Sequence, residues 1–233
     1  VMWMQTWKLQ RNLDKKEAMY ISSSPPDQPL YFPDSFMPIR VVTQHKHLGV
    51  MFDCKLSWAA HVNCVCKRTS SALGVLQPHC THLPIQCKLL FYQCYILPIF
   101  DYCDTAWCGL SDATLNQLEV HHRFIRKILS NKDRCFPSDA LYRLAHTSPL
   151  SVRHKHHLCT LVHKIFLHKT PSHMMKYNWF STSSTRNALI LPLVKSAQYL
   201  KSPLFSGYSH WLSLPYGLKT CSSIVSLKIY YHN

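Results

Sequence analysis

The chain has 233 residues, 47% of them hydrophobic, which is enough apolar mass for one ordinary core or two small ones and argues against intrinsic disorder. Its 26 Lys and Arg face only 11 Asp and Glu, and the formal charge of +15 points to a polyanionic partner, nucleic acid ahead of an anionic membrane surface. The longest apolar run, 89–100, holds Gln93 and Pro98 and falls short of the roughly 20 residues a bilayer span needs, and the opening Val1-Met2-Trp3-Met4-Gln5 has no signal-peptide pattern. An intracellular protein of the nucleus or cytoplasm is expected, neither secreted nor membrane-bound. The 11 cysteines are odd in number and irregularly spaced, as expected of reduced, core-filling thiols. A chain that opens on Val1 is expected to be cut from something longer.

Large apolar residues at Trp3, Met4 and Trp7 ahead of Asn12 predict the end of a helix whose apolar side packs on something upstream. Residues 17–21 predict a short strand, and Pro25-Pro26-Asp27 with Pro29 and Pro33 a loop. Residues 39–42 and 47–52 predict two strands joined by a polar turn. At Trp58 the period changes: Trp58, Val62, Val65, Leu73 and Leu76 recur at helical spacing until Pro78 stops them. Residues 85–97 predict an apolar helix ended near Pro98. Ser111-Asp112 predicts the start of a helix with Leu115, Leu118, Ile125 and Leu129 inward and Arg123, Arg126 and Lys127 on its other face. After Pro149 a further helix is predicted, with Leu158, Leu161, Val162 and Ile165 inward and His154, Lys155, His163 and Lys164 outside. From His121 to Lys169 ten Lys and Arg meet two Asp and Glu. The stretch from Ser181 carries Pro192, Pro203 and Pro215 among Ser/Thr clusters. The expected fold is α+β: a small antiparallel sheet at the N-terminal end (1–57), a mainly helical bundle (58–180) and an irregular tail (181–233).

Two-metal nucleotide polymerisation needs paired carboxylates holding Mg²⁺ ions. The nearest pair is Asp101-Tyr102-Cys103-Asp104, which follows an apolar helix and Pro98 and is expected to be solvated or capping. The five scattered glycines form no phosphate loop, and no nucleophile elbow is present. His61, Cys64 and Cys66, followed by His79, Cys80 and His82, have poor zinc spacing, and Cys64 and Cys66 are expected to fill core gaps. No cofactor is expected in this chain.

Several segments together resemble the reverse transcriptases of LINE-type non-LTR retrotransposons, taken from just after their catalytic Asp-Asp box. Trp7, Leu9, Asn12, Lys15 and Glu17 resemble W-x-x-x-N-x-x-K-T-E, with Lys16 in place of Thr. Lys46-His47-Leu48-Gly49-Val50-Met51-Phe52-Asp53, Leu56-Ser57-Trp58 and His61 are similar to K-Y-L-G-V…D…L-S-W…H, the most specific signal in the chain. Pro98, Asp101-Tyr102-Cys103 and Trp107 resemble P-x-x-D-Y-C…W, and residues 150–153 resemble P-L…R. Arg186, Pro192, Trp211, Leu214-Pro215 and Lys228 resemble the closing R…P…W-N-x-L-P…F-K, with Leu212 replacing Asn and Leu227 replacing Phe.

The resemblance implies a fragment of an RNA-directed DNA polymerase: the end of the palm with the primer grip, then thumb and connector. Such a fragment would be inactive alone because the catalytic carboxylates are missing. Lys15 would be a candidate general acid toward the leaving pyrophosphate, a role that suits a cation because charge grows on the departing oxygens. Leu48-Gly49-Val50, with Lys46, would be the primer-grip hairpin, where glycine lets the backbone approach a phosphate. Lys67, Arg68, Arg123, Arg126 and Lys127 would be candidates for phosphate contacts that position a duplex without reading its sequence. The implied partners are RNA, an RNA–DNA hybrid and the missing upstream palm and fingers; Mg²⁺ is implied only for the full-length enzyme. Without that palm, the face of Trp3, Met4 and Trp7 is expected to be exposed and prone to aggregation.

Overall fold

The computed structural model describes residues 2–9, 16–22, 31, 39–133, 135–144, 147–168, 197–219 and 230. The chain divides into two compact units, Val1–His61 and Val62–Asn233.

In the first unit, helix α1 (Met2–Thr6) is one short turn, and Trp3, Trp7 and Leu9 are all more than half exposed. Strand β1 (Glu17–Ala18) pairs in parallel with β2 (Arg40–Val41), Glu17 opposite Arg40. Strand β3 (Gln44–His47) pairs antiparallel with β4 (Val50–Asp53), Gln44 opposite Asp53 and His47 opposite Val50. The two strands expected at 39–42 and 47–52 are therefore not each other's partners. The hairpin turns at Leu48 (φ 45°) and Gly49 (φ 87°), inside the stretch expected to be one strand. A two-residue hairpin loop needs left-handed backbone at both central positions; glycine supplies it freely, whereas Leu48 does so at a cost of about 1–2 kcal/mol.

Beyond β4 one carboxylate organises the backbone. Asp53, 8% exposed, accepts hydrogen bonds from the N–H groups of Lys55, Ser57 and Trp58, each at 3.0 Å, and from the Ser57 hydroxyl at 3.1 Å. These bonds hold a tight corner in which Leu56 (φ 50°) and Trp58 (φ 63°) are left-handed, a conformation costly for bulky residues unless the surroundings fix it. Trp58 packs edge-on against Phe52, ring centroids 5.3 Å apart. The Met51 N–H donates to His61 Nδ1 at 3.3 Å.

Helix α2 (Ala59–Leu76) buries Val62, Val65, Thr69, Ala72, Leu73 and Leu76, the expected stripe, and the Thr69 hydroxyl donates back to the Val65 carbonyl at 2.9 Å. Pro78 lies in the 3-10 turn that follows. Helix α3 (Ile85–Phe91) passes through a π-helical turn, Tyr92–Ile96, into α4 (Leu97–Asp101), the Leu97 N–H reaching the Tyr92 carbonyl. Pro98 was expected to end this helix; instead it stands in the first turn of α4, where its missing N–H is least costly. Helix α5 (Asp112–Leu129) starts as expected, the Ser111 hydroxyl accepting from the Thr114 N–H at 3.3 Å.

After α6 (Ser138–Leu144) comes α7 (Leu150–His168), which packs against α5 and against α9 (Pro203–Leu212). Helices α8 (Ala197–Leu200), α9 and α10 (Tyr216–Lys219) give the described part of the tail more regular structure than its prolines and serines suggest. The reason is burial: Tyr208, Trp211 and Leu214 form one core cluster with Cys159 and Val162 of α7. Gly207 makes that approach close, since a Cβ there would lie 3.1 Å from the Leu158 carbonyl oxygen and from a Val162 methyl. The architecture is α+β, with the small antiparallel sheet near the N-terminal end and helices beyond it. Among the described residues no helix is long and apolar enough to cross a membrane.

Candidate nucleic-acid interface

In the first unit, the β3–β4 hairpin presents Lys46 on an exposed strand and Leu48 at its tip, 77% exposed. Gly49 completes the turn. Val50, 4% exposed, anchors the hairpin from beneath and is out of reach of a nucleic-acid strand. Exposed ion pairs of Glu17 with Arg40 (3.7 Å) and His45 (3.1 Å) tie β1 to its neighbours and are each worth little. Lys15 lies outside the described residues.

In the second unit, Lys67 and Arg68 are exposed on α2. Two side-chain bonds set α2 beside α5: the Thr69 hydroxyl and His121 Nε2 lie 2.9 Å apart, and Gln117 Nε2 donates to Asn63 Oδ1 at 2.9 Å. Arg123 and Lys127 on α5 are half-buried. These four cations keep access to solvent.

Arg126 does not, which corrects its expected place on the outer face. It is 2% exposed; its Nη2 donates to the Leu141 carbonyl at 2.9 Å and its guanidinium lies 4.3 Å from the centroid of the Tyr142 ring. Burial pushes the Tyr142 phenol up to about 12, so this neighbour stays neutral and Arg126 cannot meet a phosphate. The inward face of α5 runs Leu118, His122, Ile125, Arg126, Leu129. That i, i+4, i+7, i+8, i+11 row was present in the sequence, hidden because two of its members are polar.

His122 is wholly buried, hydrogen-bonded with the Tyr92 hydroxyl and edge-on to Phe100 at 5.2 Å. Burial drives its pKa down to about 4, partly opposed by Glu119. Glu119 accepts the Ser151 N–H at 2.8 Å and the Tyr142 hydroxyl at 3.3 Å, so a side chain of α5 caps the first turn of α7. Burial pushes the Glu119 carboxyl up, but His122 and the Ser151 N–H outweigh it and hold the group below its ordinary value. His154 and His163 of α7, expected outside, are also buried, whereas Lys155 and Lys164 are exposed as expected. Packing on both α5 and α9 widens the covered arc of α7 beyond its apolar stripe.

Asp101 and Asp104 are not solvated. Arg153 grips Asp101 with both arms, Nε to Oδ1 at 3.0 Å and Nη2 to Oδ2. Burial alone would lower the Arg153 pKa; Asp101 outweighs it and raises it. Asp104, 3% exposed, is bonded to His157 Nδ1 and has His154 Nε2 at 3.8 Å. This cluster does not suit the catalytic Mg²⁺ pair of a polymerase, because Mg²⁺ takes oxygen ligands and water whereas here an arginine and two imidazoles occupy the carboxylates. Asp101, Asp104 and His157 form the only group of three such side chains, among the described residues, close enough to share an ion. Cys64 and Cys66 are half-buried on α2, and the described cysteines are free thiols. No family model, curated protein or solved structure matches the chain.

Proposed function

We propose that this chain is the C-terminal part of a LINE-type reverse transcriptase, an RNA-directed DNA polymerase, and that it holds primer–template nucleic acid while the catalytic carboxylates belong to the missing palm. The observation that carries this reading is the pairing of Asp101 with Arg153, 52 residues apart in the chain. Asp101 belongs to the D-Y-C…W-like segment and Arg153 to the P-L…R-like one, two segments chosen on sequence resemblance alone. The other resembling segments behave alike. Asp53, Trp58 and His61 build the corner behind the β3–β4 hairpin, Trp107 donates to the Tyr102 carbonyl at 3.0 Å, and Trp211 and Leu214 lie in the α7–α9 core. Arg186, Pro192 and Lys228 lie outside the described residues.

On this reading, the Leu48-Gly49 tip with Lys46 is the primer grip. Lys67, Arg68, Arg123 and Lys127 contact the phosphates of RNA or an RNA–DNA hybrid, and Lys15 assists the chemistry only once palm and fingers are joined. The phosphate contacts release counterions, so binding weakens steeply with salt. A second reading, a non-catalytic nucleic-acid-binding module, is favoured by the second unit's own core of α7 and α9.

Fluorescence anisotropy of the purified chain with an RNA–DNA hybrid at two salt concentrations, beside a primer-extension assay, tests the proposal. Saturable, salt-sensitive binding without extension is expected. Extension by this chain with Mg²⁺ would show that its carboxylates suffice, and a folded chain that binds no hybrid would overturn the nucleic-acid reading. Stable folding and hybrid binding that do not improve when palm and fingers are supplied would favour the module.

A further inference from the structure

Behind α4 two motifs face each other across one gap: Asp101-x-x-Asp104, and His154-x-x-His157 on α7. The ligating atoms of Asp101, Asp104 and His157 lie within 4.8 Å of one another. His154 adds a fourth. It is 7% exposed, its Nε2 is fully buried with no hydrogen-bond partner, and that atom points at Asp104 Oδ2 from 3.8 Å. A buried ring nitrogen without a partner is unusual and asks for an unseen one. Trp107 sits edge-on to the His154 ring at 5.1 Å and fixes its plane, so the nitrogen cannot swing out to water.

Charge gives a second, independent reason. The cluster holds two carboxylates against one fixed cation, Arg153, which already occupies both oxygens of Asp101. Asp104 is left as a buried negative charge beside two imidazoles, and only a proton on His157 or a metal cation offsets it.

We infer that Asp104, His154 and His157, completed by Asp101, form a binding site for one zinc-class divalent cation. Two imidazoles with carboxylates suit Zn²⁺ and its first-row neighbours and disfavour Mg²⁺ and Ca²⁺. Zinc bonds of about 2.0–2.2 Å set tetrahedral ligand atoms about 3.3–3.5 Å apart, so the His154–Asp104 spacing closes with a side-chain adjustment of a few tenths of an ångström. On binding, the metal takes the place of the proton between His157 Nδ1 and Asp104, and that proton leaves to solvent. Arg153 becomes the group that orients a ligand, holding Asp101 from its far side. The side chains of Asp101 and His157 are 23% and 27% exposed, which leaves a path for the ion. The site would clamp the end of α4 to α7, and this departs from the expectation that the chain holds no metal of its own.

The inference is independent of the polymerase reading, and its test uses no nucleic acid. The full chain, stripped with a chelator, is titrated with Co²⁺, whose visible spectrum reports geometry and whose thiolate charge-transfer band reports cysteine ligation, a necessary control with 11 cysteines present. One equivalent bound with an intense tetrahedral spectrum and no thiolate band, displaced by Zn²⁺, is the expected result. His157→Gln, at a part-exposed position, and Asp104→Asn are each expected to weaken that equivalent at least about tenfold. No uptake, uptake seen only with the thiolate band, an octahedral spectrum, or affinity unchanged in folded His157→Gln would each overturn it. Should Asp104→Asn fail to fold, the wild-type spectrum and His157→Gln decide the question.

Discussion

Aspartates in the two units do opposite kinds of work. In the first unit Asp53 bonds to groups two to five residues ahead of it and builds one local corner. In the second, Asp101 and Asp104 bond to side chains 52 and 53 residues away and join a turn to a distant helix. A local carboxylate shapes backbone that is already close at hand, whereas a long-range one holds two elements together and leaves a buried partner behind when it is lost. The cost of removing each should therefore differ, and so should its pH dependence.

The largest effect is expected from Arg153→Met, which strands Asp101 without its cation. A loss of about 3 kcal/mol is expected, the low end for a broken buried pair because both side chains keep some solvent contact; urea unfolding would measure it. An Asp101→Asn, Arg153→Met double variant that recovers none of this loss would remove the pair from the account of stability.

Acid separates the units further. The unfolded His122 side chain takes up a proton near its ordinary value of 6.5, the folded one only near 4, so the unfolded state binds more protons between these values. Stability of the second unit is expected to fall as pH drops from 6.5 toward 4, by about 3 kcal/mol at one pKa unit per 1.36 kcal/mol. His154, also lowered by burial, acts in the same direction. Thermal melts across this range should flatten in His122→Phe. Asp53 has a different window. Burial pushes its carboxyl up, but the N–H groups of Ser57, Trp58 and Lys55 outweigh that and hold it below 3.8. Its contribution is present above 3.8 and lost as pH falls through the lower folded value, so the corner should outlast the helices as acid is added.

Asp53→Ala leaves N–H groups at the corner unmet and is expected to cost the first unit about 2 kcal/mol, read as faster amide exchange at Trp58 and Lys55. The smallest effect has the other sign. Leu48→Asn places a residue that tolerates left-handed backbone ahead of Gly49, and a gain of about 1 kcal/mol is expected in the same exchange experiment. No gain would mean that contacts at the hairpin tip already offset the strain.

The same divide between local and distant contacts governs how much could be read from the residues. The stripe of α2, the Ser111 cap and the inward Leu158, Val162 and Ile165 are local periodicities and were legible. The turn at Leu48-Gly49 was missed because an apolar residue at a turn looks like strand, though the glycine was a usable signal. Arg126, His154 and His163 were set outside because charge and polarity suggest solvent, and only tertiary partners such as the Leu141 carbonyl, Tyr142 and Asp104 explain their burial. Of the candidate interface, the exposure of Lys46, Lys67 and Arg68 followed from pattern alone, while the Asp101–Arg153 pair needed two segments to be brought together in space.

The π-helical turn at Tyr92–Ile96 has a consequence for length variation. It houses one residue more than α-helical winding would, which keeps Tyr92, Ile96 and Phe100 on the buried side while Pro98 fits at the start of α4. Deleting one residue here would restore plain helix with no break in the chain, yet turn everything beyond it by roughly 100° about the axis. Phe100 would leave the core and Asp101 would face away from Arg153. The register of this helix thus acts as a rotational key: substitutions along it cost what their own contacts are worth, but a single-codon deletion disconnects the whole α4–α7 junction.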